Sequence, residues 1–153
     1  GGRKSPQCYN FGTFFTMPNS TDLNCNSIPC PQPLPDTVLR GLEYFNRGEF
    51  FEAHEYLEIA WRAEEGPIRD LYQGILQVGV GYYHLQRGNL AGARKMFARA
   101  RRCLQIFPAV PCGIDVAGLL ADVDAVEAAM LSPERLRDRI QAGLFKPVRY
   151  SIE

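Results

Sequence analysis

The sequence reads as an all-α protein, a compact bundle of two helical hairpins closed by a fifth helix. Three observations carry that reading. From Asp36 onward apolar residues recur at helical spacing, as in Val38, Leu39, Leu42 and Phe45. Arg47-Gly48 and Arg87-Gly88 interrupt the pattern where helices would stop. No segment alternates apolar and polar residues long enough for a strand, the tail after Phe145 being the one candidate.

The elements follow in order. Asp36, after Pro35, is a fit N-cap for a first helix that ends at Arg47-Gly48. The second spans about Phe50 to Glu64 and is broken by Gly66-Pro67, with proline suited to the first turn of the third, which runs from about Pro67 to Gln86. The fourth starts near Leu90 and lasts to about Leu104, before a loop holding Pro108 and Pro111. Asp115 caps a fifth helix with the apolar stripe Val116, Leu119, Leu120, Val123, Val126 and Met130, and Ser132-Pro133-Glu134-Arg135 opens a short sixth. An internal echo accompanies the pattern. The two Arg-Gly stops are 40 residues apart, and that offset sets Phe45 on Leu85, Ala53 on Ala93 and Leu57 on Phe97. Helix, glycine turn and second helix with a small residue at the close approach are the grammar of tetratricopeptide-like hairpins. The expected organisation is an extended or disordered Pro/Cys-rich arm over 1–35, the bundle over 36–131, and a short helix and tail over 132–153.

Composition bounds the function. The 153 residues carry 17 Lys+Arg and 17 Asp+Glu, and this zero net charge removes the bulk electrostatic argument for nucleic acid. The uncharged run from Leu71 to Gln86 is 16 residues long and contains Gln73, Gln77 and His84, too short and too polar to span a bilayer. Six of the eleven prolines precede Asp36, which rules out helix or central strand there. Residues 1–16, ahead of Met17, read equally as native chain or as an extension. The five cysteines, Cys8, Cys25, Cys30, Cys103 and Cys112, form no framework pattern, so reduced thiols are the expectation. Cys25 and Cys30 could be half a zinc site only if Cys103 and Cys112 supplied the rest.

The candidate chemistry lies on the second and third helices. His54, Glu58 and Trp61 are spaced by four and then three and share one face, with Glu55 beside them. Asp70, Gln73, Gln77 and His84 form a polar line on the next helix. In an antiparallel hairpin turning at Glu65-Gly66, levels sum to about 131, which sets His54 opposite Gln77 and Glu58 opposite Gln73. Two readings compete. One is a buried hydrogen-bonded network that fixes helix register. The other is a divalent-metal or small-ligand site, with His54 and Glu58 as ligands and Glu55 as a base, and a metal-dependent hydrolase as its enzymatic form. His84 lies ~10 Å along the helix from that level, out of reach of a shared site. Trp61 reads as a core anchor in preference to the lid of a pocket, and Arg94, Lys95, Arg99, Arg101 and Arg102 as a solvated outer face or a dimer interface in preference to a patch for phosphate or RNA.

The stretch from Tyr44 through Glu55, with Glu58 and Trp61, then Tyr72-Gln73-Gly74-Ile75-Leu76-Gln77, Tyr83-His84, Arg87-Gly88-Asn89 and Gly113-Ile114-Asp115-Val116, resembles the domain-of-unknown-function 309 family over roughly Asp36 to Met130. The resemblance implies a small all-helical protein of bacteria, archaea or plastids without an established activity. It supports the polar line His54, Glu55, Glu58, Gln73 and Gln77 as a family feature and supplies no reaction. The functional expectation is a non-enzymatic interaction module, a homo-oligomer or an adaptor for a protein partner, in the cytoplasm or plastid stroma. Nucleic acid and membrane are not expected partners.

Overall fold

The computed structural model describes residues 29–152, so the expectations for the earlier arm, Cys8 and Cys25 lie outside the described residues. Among the described residues six α-helices follow in order: α1 (Asp36–Asn46), α2 (Phe50–Ala63), α3 (Arg69–Gln86), α4 (Leu90–Leu104), α5 (Val116–Ala129) and α6 (Pro133–Gln141). A short 3-10 turn, Pro111–Gly113, precedes α5. The all-α reading holds. Each neighbouring pair from α1 to α4 packs together, and α5 rests on α4 and α6.

The two Arg-Gly stops are the same device. Gly48 at φ 80° and Gly88 at φ 78° take the left-handed conformation that ends a helix without a Cβ clash. Around them Glu49 N–H donates to Tyr44 O at 3.0 Å and Asn89 N–H to His84 O at 2.8 Å, closing the last turn of each helix in the Schellman pattern. Asn89 and Asp115 cap α4 and α5 by accepting from Gly92 N–H and Gly118 N–H, each at 2.9 Å.

The uncharged stretch from Leu71 to Gln86 makes up most of α3, which is buried on nearly every face between α2 and α4. Its glycines set how close α4 can come. A Cβ at Gly74 would stand 2.5 Å from Leu104 Cγ, and one at Gly81 would overlap the ring of Phe97. Near the far end of α3 the Tyr82 ring is enclosed by Phe50 at 5.3 Å, Phe45 at 5.7 Å, Phe97 at 5.8 Å and a stacked Phe145 at 4.3 Å.

Two features correct the reading of the sequence. Cys30 and Cys112 are joined in a disulfide with Cα atoms 5.5 Å apart, so they are not reduced thiols and cannot complete a zinc site. Cys103 is disulfide-bonded as well. The segments around Pro29–Pro33 and Pro111–Gly113, which proline keeps out of helices, are what the Cys30 bridge ties together. The tail after Phe145 forms no ladder but a strap. Asn46 donates to Val148 O at 3.0 Å and accepts from Val148 N–H at 2.8 Å, Tyr150 bridges Ile114, and Arg149 pairs with Asp115 at 3.1 Å and Asp122 at 3.3 Å. No described helix is long and apolar enough to cross a membrane.

Because the Gly81 Cα sits against Phe97, Gly81→Ala should lower stability by about 1–3 kcal/mol, the usual cost of overpacking, although alanine is the better helix former. Urea denaturation followed by circular dichroism checks this; an unchanged midpoint would mean that α3 and α4 are farther apart than described.

Candidate functional site

The two polar lines of the sequence do not meet in one layer. Helical geometry explains the division. On α2 the stripe Phe50, Ala53, Leu57 and Ala60 is buried, so Phe51, Glu55, Ile59 and Arg62 are carried to the outer face, with His54 and Glu58 at its edge. His54 Nε2 lies 3.3 Å from Glu58 Oε1, with side chains 32% and 31% exposed. Arg62 then closes on the other carboxylate oxygen, its Nη2 at 2.6 Å and its Nε at 3.0 Å from Glu58 Oε2. His54, Glu55, Tyr56, Glu58, Ile59 and Arg62 border an open shelf of about 570 Å³.

On α3 the polar line turns toward α4. Asp70, Gln73 and Gln77 are buried at 3%, 7% and 5% exposure. The Cys103 sulfur of α4 lies 3.6 Å from Gln77 Oε1 and 3.7 Å from Gln73 Oε1. His84 stands apart at the end of α3, its Nδ1 3.4 Å from Asn89 Nδ2. Gln73 and Gln77 thus lie on the α4 side of α3, while His54 and Glu58 pair with each other on the outside of α2.

Trp61 is half-buried instead of a sealed anchor, and the Arg69 guanidinium covers its ring at 4.6 Å while Arg69 Nε donates to Glu64 O at 3.0 Å. Around this turn the buried Trp61 Nε1, Asp70 Oδ1 and Tyr72 hydroxyl have no hydrogen-bond partner among the described residues. Burial pushes the Asp70 carboxyl up to about 6, against the opposing pull of Arg69. Burial, with Glu64 adding to it, pushes the Tyr72 phenol up to about 12. The basic residues of α4 also divide. Arg101 bridges to Asp124 at 2.6 Å and Glu127 at 2.7 Å on α5, whereas Arg94, Lys95, Arg99 and Arg102 are exposed.

As chemistry, the shelf on α2 offers one imidazole, His54, and two carboxylates, Glu55 and Glu58. Among the described residues no group of three or more His, Cys, Asp or Glu side chains converges as a metal site. The positive charge of Arg62 already sits on Glu58, where a divalent cation would have to displace it.

Residues 38–96 match the family described as Domain of unknown function (DUF309). That segment is similar to the family. The DUF309 match covers α1, α2, α3 and the first half of α4, and so includes His54, Glu58, Gln73 and Gln77. It ends before Cys103 and before the Gly113-Ile114-Asp115-Val116 block. The chain is also 37% identical over 65 residues to the uncharacterized protein YpuF of Bacillus subtilis (strain 168), a stretch that is 42% of this chain and 37% of that protein. The match therefore spans little more than a third of the relative's length.

The environment of Asp70 sets a pH dependence. Its folded-state pKa, raised from 3.8 to about 6, lets the folded chain hold the proton more tightly than the unfolded chain. Stability from this group is complete below the lower value and declines as pH rises through the higher one. Asp70→Asn should flatten that decline and stabilise the protein by on the order of 1 kcal/mol near neutral pH, allowing for partial solvent screening. Urea midpoints of the two proteins across that pH range check it; parallel profiles would show that Asp70 is not held in a charge-excluding site.

Proposed function

We propose that this chain is a non-enzymatic helical interaction module that associates with a second copy of itself, the outer face of α2 docking on the outer face of α4. The observation that carries the proposal is the pair Phe51 and Ile59, 49% and 54% exposed, one on either side of Glu55 along a single helical stripe. Large apolar side chains held in a row at a helix surface favour a partner over water. Charge supports the choice of partner. The α2 sequence has Glu52, Glu55 and Glu58 against Arg62, whereas α4 has no acidic residue and exposes Arg94, Lys95, Arg99 and Arg102. An acidic apolar face and a basic face on one molecule are complementary between copies, in a head-to-tail arrangement.

A second reading, a divalent cation held by His54 and Glu58 with Glu55 alongside, draws on the 3.3 Å approach of the first two. It requires Arg62 to swing away from Glu58.

Sedimentation velocity of the full chain over a range of concentrations tests the proposal. Self-association that weakens with added salt is expected. Phe51→Ser with Ile59→Ser should remove it without lowering the melting temperature, since both side chains are exposed. Glu55→Lys should weaken it, and Arg99→Glu in the same chain should restore part of the loss. A monomer at every concentration, or association unmoved by these changes, would defeat the proposal. Stoichiometric metal lost in His54→Ala would favour the second reading.

A further inference from the structure

We infer that the groove at the tips of the two Arg-Gly turns is a binding site for an amphiphilic anion, a negatively charged headgroup on a long apolar chain. Two cavities lie there, of about 540 Å³ and about 270 Å³, and they adjoin across Gln86 and Ile140, which line both, between the hairpin tips and the C-terminal segment. That size is within the range of small-molecule sites.

The floor is apolar, and the walls also carry the polar Asn46, Gln86 and Gln141. Leu85 and Leu136 lie beneath the larger cavity, Phe45 and Phe50 beneath the smaller, with Ile140 and Phe145 between α6 and the tail. The charged lining is of one sign. Arg87 and Arg137 line the larger cavity, and Arg47 and Lys146 the smaller. No acidic side chain lines either, although Glu49, Glu134 and Asp138 stand nearby in the chain. None of the four cations has an ion-pair partner among the described residues. In a chain with as many acids as bases, such a cluster is uneven.

A simpler account covers half of it. Arg47 and Arg87 cap the C-terminal ends of α1 and α3, where the helix dipole favours a cation. They also rest on rings, Arg47 over Tyr44 at 5.0 Å and Arg87 over Tyr83 at 5.5 Å, which holds them in place. Helix capping does not explain Arg137 and Lys146, which come from α6 and the tail. Cations from both walls over an apolar floor match a headgroup at the rim and a chain along the groove.

The headgroup could be a carboxylate or a phosphate monoester, and calorimetric titration of the full chain distinguishes them. Dodecanoate and dodecyl phosphate, each below its micelle concentration, should bind, and the tighter one identifies the headgroup. Dodecyl maltoside, which has the chain without the charge, and inorganic phosphate, which has the charge without the chain, should each bind at least about tenfold more weakly. Arg87→Glu and Arg137→Glu, both at exposed positions, should each weaken dodecanoate or dodecyl phosphate binding by about tenfold with helical content unchanged. In the unaltered chain the affinity should fall as salt is added. If a charge reversal prevents folding, Lys146→Gln and the salt series carry the test. Equal binding of the maltoside, equal binding of inorganic phosphate, no binding of either anionic amphiphile, or affinities indifferent to salt and to these substitutions would overturn the inference. The groove shares no lining residue with the exposed faces of α2 and α4, so this result and the association result are independent.

Discussion

A helix buried on nearly every side governs this molecule. α3 carries no charge between Leu71 and Gln86 and takes α2 against one side and α4 against another. Burial on that scale is possible because glycines at 74 and 81 let α4 come close, and it turns Gln73 and Gln77 toward the Cys103 sulfur. It also decides what the neighbours present. Once α2 gives Phe50, Ala53, Leu57 and Ala60 to the core between α1 and α3, Phe51, Glu55, Ile59 and Arg62 are left facing water or a partner.

Much of this architecture was legible in the chain. The periodicity of Val38, Leu42 and Phe45, the glycines at 48 and 88, and the cap Asp115 are local signals, read within a few residues, and the helices lie close to where those signals put them. The 40-residue echo also has a physical basis. Ala53 and Ala93 are both buried, and Leu57 and Phe97 are both fully enclosed.

What failed was the direction of side chains across helices. Height along an antiparallel pair follows from residue numbers, but rotation about each axis does not, and rotation sends Gln73 and Gln77 to α4 and keeps His54 and Glu58 on the outside. The same limit applies to Arg101, which sits among exposed arginines yet reaches Asp124 and Glu127 across 23 and 26 residues of sequence. The Cys30–Cys112 bridge spans 82 residues and has no local signal at all. Exposure of Phe51 and Ile59 could have been inferred from the stripe they share with Glu55, had the buried stripe of α2 been assigned first.

The rotation of α3 is therefore the claim on which the surface reading stands, and it can be measured by nuclear Overhauser contacts from the carboxamide protons of Gln73 and Gln77. The account predicts contacts to the β protons of Cys103, with none to the His54 ring. Strong contacts from either carboxamide to His54, without any to Cys103, would contradict it and would turn the α2 face back into the core.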